Sequence, residues 1–171
     1  LYPQRVFYYF EQIAAIPHGS RNTKAISDYL VDFAKEHNLV WYQDENNNVV
    51  IVKEASAGYE AAEPIIIQGH MDMVCEKEKG VDIDFEKDGL KLYIDGDFLK
   101  AEGTTLGGDD GIAVAYALAL LDSQEIAHPK LEVVITVDEE IGMLGADAID
   151  LSMLTGHTML NIDSDVEGSF L

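Results

Sequence analysis

The chain has 171 residues, with 32 acidic side chains against 11 basic ones and a formal net charge of -21. This charge disfavours binding to nucleic-acid phosphates and to anionic lipid surfaces, and no apolar run approaches the roughly 20 residues of a membrane span. The hydrophobic fraction of 47% can supply the core of one ordinary domain. The one cysteine, Cys75, excludes an intrachain disulfide and fits a reducing, cytoplasmic location.

The predicted elements alternate between helices and strands along the chain. Apolar residues at helical spacing predict two amphipathic helices, over about residues 3–15 and 22–38. Two short strands then flank the turn-forming sequence ENNN, and a continuous apolar strand runs up to His70. A hairpin turns at Asp95-Gly96, the glycine-rich sequence TTLGGDDG leads into a helix of small residues, and the apolar strands KLEVVITV and HTMLNI complete the pattern.

This alternation predicts an α/β fold, with three α/β/α layers and a mostly parallel central sheet whose apolar strands are buried. In such sheets, ligands collect at the carboxyl ends of the strands. We therefore expect functional side chains where the apolar strands end.

Chemically active side chains do follow these strands, and a further pair lies in the glycine-rich loop. The clusters are His70-Met71-Asp72, Asp109-Asp110, Asp138-Glu139-Glu140 and Asp163-Ser164-Asp165. Carboxylates gathered at one sheet edge repel each other, and a divalent cation relieves that repulsion. One histidine with several carboxylates suits zinc, manganese or cobalt, and a shared carboxylate favours two ions over one.

Each cluster also has a purely structural interpretation. His70 alone is more often a buried core histidine than a ligand, and Asp109-Asp110 could cap the helix that follows. Glu139-Glu140 could be a solvated turn, and Asp163 a residue of a strand-end turn. The glycines could suggest a phosphate cradle, but the neighbouring acids would repel phosphate and no P-loop lysine follows. The four clusters together favour the metal site.

Four segments carry a family resemblance: GHMDMV, TTLGGDDGIAVAYALALL, VDEEIGMLGA and NIDSDVEG. Their order and spacing resemble the M20 metallopeptidases. The segments PQRVFYYFEQIAAIPHGS and HMDMVCEK resemble in particular the aminoacyl-histidine (Xaa-His) dipeptidase branch of that family. The resemblance implies a zinc-peptidase-like catalytic domain that holds two Zn²⁺ ions, or Co²⁺ or Mn²⁺, and hydrolyses dipeptides of the carnosine type.

The resemblance also implies a role for each position that matches the family pattern. Glu139 is implied to be the general base, which takes a proton from the attacking water and delivers it to the leaving amine. Asp72 is implied to orient the histidine ligand. The implied metal ligands are His70 and Asp163 on the first zinc, Glu140 on the second, and Asp109 bridging the two.

The sequence departs from the family pattern in two ways. Asp110 stands where the branch usually has asparagine, which adds a charge beside Asp109. The family's second zinc also takes a histidine from near the end of a chain more than twice as long, and none of the other histidines is expected to replace it: His18, His37, His128 and His157.

Residues 1–171 are accordingly expected to be the N-terminal part of a catalytic domain, without its C-terminal part or the lid and dimerisation domain. We expect this piece to bind one metal at the His70–Asp109–Asp163 position and to have little or no activity, while the full-length protein could form a homodimer. Two alternatives stay open. One is another M20 amidohydrolase, such as a tripeptidase or aminoacylase, and the other is a non-catalytic domain that kept the fold.

Overall fold

The computed structural model of the protein describes residues 1–164. The predicted strand-end residue Asp165 lies outside the described residues. The elements are α1 (Gln4–Ala14), α2 (Lys24–Glu36), β1 (Val40–Gln43), β2 (Val49–Lys53), β3 (Ile65–His70), β4 (Leu92–Asp95), β5 (Phe98–Ala101), α3 (Gly108–Asp122), β6 (Leu131–Thr136), α4 (Leu144–Ala148) and β7 (Thr158–Asn161).

Five strands form the central sheet in the order β1-β2-β6-β3-β7. Strand β3 pairs in parallel with both β6 and β7. The β1–β2 hairpin pairs internally in antiparallel fashion and also joins β6 antiparallel. The α/β class and the parallel arrangement of the three apolar strands are confirmed, whereas the hairpin makes the complete sheet more evenly mixed than predicted. The predicted hairpin at Asp95-Gly96 forms a separate two-stranded sheet from β4 and β5.

The two faces of the central sheet are covered unequally. Helices α1, α2 and α3 pack on one face and form the main core with alternate strand residues such as Ile51, Ile67 and Val133. The opposite face carries a smaller cluster around Val50 and Val134, against which Ile66 of β3 and residues after α4, such as Ile149 and Leu154, pack. The predicted three layers are present, and the second helical layer is thin among residues 1–164. No helix in this part of the chain combines the length and apolarity needed to cross a bilayer.

Strand β7 differs from the prediction in its burial. Its sequence is as apolar as that of the other parallel strands, yet all four of its residues are exposed, with Met159 58% and Leu160 52% accessible. The reason is its place in the sheet, since β7 pairs with β3 alone among the described strands. By contrast, all six residues of β6, between β2 and β3, are buried.

Candidate metal centre

His70 is the last residue of β3 and its side chain is only 1% exposed. Its Nδ1 lies 3.0 Å from the main-chain oxygen of Asp72 and 3.4 Å from the Asp72 carboxylate. An N–H at Nδ1 donates to the nearer carbonyl oxygen, while the carboxylate adds its charge. This arrangement turns Nε2 toward Asp109, whose Oδ1 is 3.0 Å away. The imidazole is therefore oriented as a metal ligand would be.

Asp72 connects several parts of the site. One carboxylate oxygen, Oδ2, accepts a hydrogen bond from the Ser20 hydroxyl at 2.8 Å. The other, Oδ1, accepts one from the main-chain N–H of Glu139 at 3.0 Å. Burial raises the pKa of Asp72, but the hydrogen bonds to His70, Ser20 and Glu139 outweigh that effect and lower it below its usual value. The buried carboxylate thus stays ionised beside the imidazole.

The glycine-rich loop brings Asp109 and Asp110 to the end of β3. Both residues have non-helical backbone angles at the start of α3, the peptide between them is cis, and neither side chain caps the helix. The capping interpretation is therefore wrong. Instead, Asp109 faces the His70 ring, and the buried Asp110 accepts a hydrogen bond from the main-chain N–H of His70 at 3.2 Å.

Gly69 makes this close approach between β3 and α3 possible. A Cβ at residue 69 would lie 2.6 Å from Oδ2 of Asp110 and 2.8 Å from the Cβ of Ala113. Such contacts are shorter than van der Waals packing allows, so a side chain here would push α3 away from the sheet. The glycine before the histidine is thus required by the packing of the site.

The loop after β6 carries the two adjacent glutamates. The Glu139 carboxylate is 34% exposed, and its Oε2 lies 3.8 Å from Nε2 of His70. The preceding residue, Asp138, has a positive φ of 55° and accepts a hydrogen bond from the main-chain N–H of Arg21 at 2.6 Å. Because neighbouring residues project differently, Glu140 can reach the ligand cluster while Glu139 faces the open side of the site.

Two sets of side chains have ligand atoms close enough to hold a cation. The first is His70 with Asp109 and Glu140, and the second is His70 with Asp110 and Asp163. Within each set the ligand atoms lie within 4.8 Å of one another. The two sets share His70 and are therefore contiguous. Every ligand candidate named from the sequence belongs to one of these two sets, and Asp110 is added. The grouping differs from the predicted one, because Asp109 and Asp163 belong to different sets.

The pKa values of these groups reflect both burial and the neighbouring charges. Burial lowers the pKa of His70, but the bond to Asp72 and the charges of Asp110 and Asp163 outweigh it and raise the pKa to about 9. Burial and neighbouring acids raise the pKa of Asp110 to about 8. Burial also raises the pKa of Glu140, with the charge of Asp109 adding to the effect.

This donor set fits a divalent cation. An imidazole nitrogen and several carboxylates converge, and among residues 1–164 no lysine or arginine forms an ion pair with any of these acids. A cation would compensate both the burial of these carboxylates and their mutual repulsion. The mixture of nitrogen and oxygen ligands is one that zinc, cobalt and manganese accept.

Three of the remaining histidines make contacts of their own. His18 is buried with Nδ1 against the Ile16 carbonyl, and His37 contacts Asp122. His128 contacts the Pro129 carbonyl. Neither ligand set includes any histidine besides His70 in the described part of the chain.

Sequence reasoning missed Ser20 and Asn48, and it treated Asp110 only as an extra charge. Asn48 is fully buried and bonds to both ends of the segment that carries the glutamates. No periodicity or motif marks Ser20 or Asn48. For Asp110, its position directly after Asp109 in the loop was the available signal.

The fold and the family match identify the class of protein to which this chain belongs. Residues 66–167 match the peptidase family M20/M25/M40, and the chain belongs to that family, which is metal-dependent. It is 41% identical over 168 residues to the cytosol non-specific dipeptidase of Escherichia coli K12, an alignment that covers 98% of this chain and 35% of that protein. Peptidase T of Caldanaerobacter subterraneus subsp. tengcongensis is 32% identical over 114 residues, covering 62% of this chain and 28% of that protein.

The fold also matches a solved structure of this class. Aminoacylhistidine dipeptidase from Vibrio alginolyticus superposes with a TM-score of 0.95 and 42% identity, over 98% of this chain and 34% of that chain. The chain therefore spans about a third of the length of that dipeptidase and of the E. coli relative. The predicted M20 resemblance is confirmed.

Proposed function

We propose that this chain supplies metal ligands and the general base for metal-dependent hydrolysis of dipeptides. The observation that carries the proposal is the convergence on Nε2 of His70, where Asp109 lies 3.0 Å away and the Glu139 carboxylate 3.8 Å away. A peptidase site needs a cation position and a free carboxylate beside it, and this arrangement offers both.

His70 with Asp110 and Asp163 would hold one ion, and Asp109 with Glu140 would contribute to a second. Zn²⁺ is the proposed metal, with Co²⁺ and Mn²⁺ as alternatives that accept the same ligands. When bound, the metal polarises the scissile carbonyl and makes the attacking water more acidic. The chain's own contribution is to hold these ligands rigidly, through the hydrogen bonds of Asp72 and the main-chain contact of Asp110.

Glu139 is the proposed general base. Its carboxylate is partly exposed beside the ligands, and Asp72 holds its main-chain N–H, so its position is defined without a ligand role. From there it can take the proton of the attacking water and deliver it to the leaving amine. A glutamine at residue 139 would keep the shape and remove this proton transfer.

Dipeptides are the proposed substrates, with Xaa-His dipeptides among them. Two relatives support this choice, one named a non-specific dipeptidase and the other an aminoacylhistidine dipeptidase. The name of the E. coli relative and the single cysteine also favour a cytoplasmic location. We further infer that residues 1–171 bind one ion and turn over slowly by themselves, because they span only about a third of the length of these two relatives.

Metal content and hydrolysis test this function together. Purified protein is loaded with Zn²⁺, Co²⁺ or Mn²⁺, and bound metal is measured by mass spectrometry. His70→Gln is expected to abolish binding, and the matched control His157→Gln, at an exposed histidine, is expected to retain it. Absence of any bound divalent ion in the wild type would contradict the proposal and favour the non-catalytic interpretation.

Dipeptide hydrolysis is then measured with carnosine and with other dipeptides. Any turnover should disappear in Glu139→Gln while the bound metal remains. Turnover comparable to that of an ordinary enzyme, abolished by the same variant, would overturn the inference of an inactive piece and leave the dipeptidase function supported.

A tripeptidase function is the second candidate within the family. The similarity to peptidase T favours it, although that alignment covers only 62% of this chain. A panel of dipeptides, tripeptides and N-acyl amino acids separates the candidates. Faster turnover of tripeptides or N-acyl amino acids than of dipeptides would replace the dipeptidase assignment.

A further inference from the structure

Asn48 is a fully buried asparagine that lies outside the acidic cluster yet contacts the segment carrying the glutamates. It immediately precedes β2, at the end of the turn that joins the β1–β2 hairpin. That segment, residues 137–145, runs from the end of β6 into α4 and contains Glu139 and Glu140. A buried amide between these two elements must find partners for all its polar atoms.

The side chain of Asn48 joins both ends of the 137–145 segment. Its Oδ1 accepts a hydrogen bond from the main-chain N–H of Val137 at 3.0 Å. Its Nδ2 donates to the main-chain oxygen of Gly145 at 3.1 Å. Val137 and Gly145 also bond directly, with Gly145 N–H donating to the Val137 oxygen at 3.0 Å. The segment is thus closed at its base by one side chain and one main-chain contact.

The orientation of the Asn48 amide is determined by Asp44. Nδ2 of Asn48 donates to Oδ2 of Asp44 at 2.7 Å, and the Asn48 main-chain N–H donates to Oδ1 at 2.8 Å. The Asp44 carboxylate and the Gly145 carbonyl both require a donor, while Val137 N–H requires an acceptor. The amide of asparagine meets these demands in one orientation, and a carboxylate or an aliphatic side chain does not.

Gly145 lacks a side chain where Asn48 and Val137 approach it most closely. A Cβ at residue 145 would lie 2.5 Å from Oδ1 of Asn48 and 2.4 Å from the Val137 oxygen. The glycine therefore lets the two ends of the segment approach each other with the Asn48 amide between them. The 137–145 segment is therefore held at both of its ends by Asn48 and at Glu139 by Asp72, which accepts a hydrogen bond from the Glu139 main-chain N–H.

We propose that Asn48 is a positioning residue for the candidate metal centre, which sets the place of Glu139 and Glu140 by closing the base of the 137–145 segment. The inference rests on the proposed function, since it assigns Asn48 to the site of the metal-dependent peptidase. Asn48 touches neither the ion nor the substrate and acts through the main chain of the segment. Loss of its amide displaces a ligand and the general base together.

The test compares Asn48→Asp with the matched control Asn46→Asp, an exposed position two residues earlier in the same turn. Both variants add the same charge. Only Asn48→Asp removes the donor to the Gly145 oxygen and places a second carboxylate against that of Asp44. Each protein is titrated with Co²⁺ alone, followed by visible absorption, at a temperature where circular dichroism shows it folded. Hydrogen exchange of the Val137 and Glu139 amides is measured by NMR without metal.

Asn48→Asp is expected to weaken Co²⁺ binding at least tenfold and to speed exchange at Val137, while Asn46→Asp stays within twofold of the wild type. Unchanged Co²⁺ affinity in a folded Asn48→Asp variant overturns the proposal, even if its melting temperature falls, because a purely structural role predicts that result. If Asn48→Asp does not fold, Asp44→Asn replaces it. Asp44→Asn changes the partner of the Asn48 amide and also the acceptor of the Asn46 and Asn48 main-chain N–H groups. An affinity equal to that of Asn46→Asp overturns the proposal.

Failure of the proposed function gives a different result. If wild-type protein binds Co²⁺ no better than His70→Gln, the metal centre is wrong. The exchange rates then test the structural step alone: faster exchange at Val137 and Glu139 in Asn48→Asp shows that Asn48 closes the 137–145 segment, and unchanged exchange shows that it does not.

Discussion

The carboxylate of Asp72 accepts a hydrogen bond from the main-chain N–H of Glu139 at 3.0 Å. The two residues are 67 positions apart in the chain, at the ends of two neighbouring parallel strands. Because the same carboxylate lies 3.4 Å from Nδ1 of His70, one buried acid holds both the imidazole and the candidate general base. The two halves of the site therefore cannot move independently.

Replacement of Asp72 by asparagine should show this coupling. Asp72→Asn keeps the shape of the side chain and removes its charge, so the imidazole becomes a weaker ligand and one contact to Ser20, His70 or Glu139 is lost. We expect the Co²⁺ affinity to fall about 10- to 100-fold, as for other carboxylates that support a ligating histidine. Titration followed by visible absorption measures this affinity. Asp97→Asn, in the exposed β4–β5 turn, is the control, and an equal effect of the two variants would contradict the role of Asp72.

Removal of the Ser20 hydroxyl should cost stability more than metal affinity. Ser20→Ala leaves Oδ2 of the buried Asp72 without its hydrogen-bond donor. We expect the free energy of unfolding to fall by about 1–2 kcal/mol, the usual cost of an unpaired buried polar group. Urea denaturation in the presence of a chelator measures it. The exposed control Ser152→Ala should change stability by less than about 0.5 kcal/mol. Equal losses of unfolding free energy in the two variants would show that the Ser20 hydroxyl does not stabilise the Asp72 carboxylate.

A methyl group at residue 69 should separate α3 from the sheet. Gly69→Ala places a Cβ 2.6 Å from Oδ2 of Asp110, so the helix or the carboxylate must shift. We expect a loss of about 1–3 kcal/mol in unfolding free energy, the typical cost of overpacking, together with weaker Co²⁺ binding. Gly108→Ala is the control for stability, because its added Cβ would meet only Leu106, at 3.8 Å. Wild-type stability and affinity in Gly69→Ala would show that the contact is easily relieved.

Glu132, a buried residue of β6, should make the protein sensitive to acid. Burial raises the pKa of its carboxyl, but hydrogen bonds from Lys130, Thr155 and Gly156 outweigh that effect and lower the pKa from 4.5 to about 2. The unfolded chain therefore takes up this proton first as the pH falls. The stabilisation is complete above pH 4.5 and is lost as the pH falls toward 2. Its size is roughly 3 kcal/mol, from about 1.4 kcal/mol for each unit of pKa difference.

Urea denaturation at several pH values tests this dependence. Glu132→Gln should be less stable than the wild type at pH 7, and the difference should shrink between pH 4.5 and 2. The control Glu125→Gln, at an exposed position, should follow the wild-type profile. A constant difference between Glu132→Gln and the wild type across this range would show that the charge of Glu132 contributes nothing to stability.

Local sequence patterns were sufficient to predict most of the elements and the location of the site. Apolar periodicity depends on neighbouring residues alone, so the helices α1 and α2, the hairpins and the parallel strands could be predicted. Burial depends on partners elsewhere in the chain, and this is why β7 was expected to be as buried as β6. The same limit applies to Asp109 and Asp110, whose helix-capping interpretation could be rejected only after their contacts with His70 were known.

The sequence by itself determined the α/β fold, the gathering of acids at one sheet edge and the family to which the chain belongs, because these follow from strand order and from motifs of adjacent residues. Tertiary structure decided which side chains support the site. Ser20 reaches Asp72 across 52 positions, and Asn48 reaches Val137 across 89. Such bonds leave no periodic trace, since a buried polar group takes as its partner whichever main-chain or side-chain atom the packing of the core brings within reach.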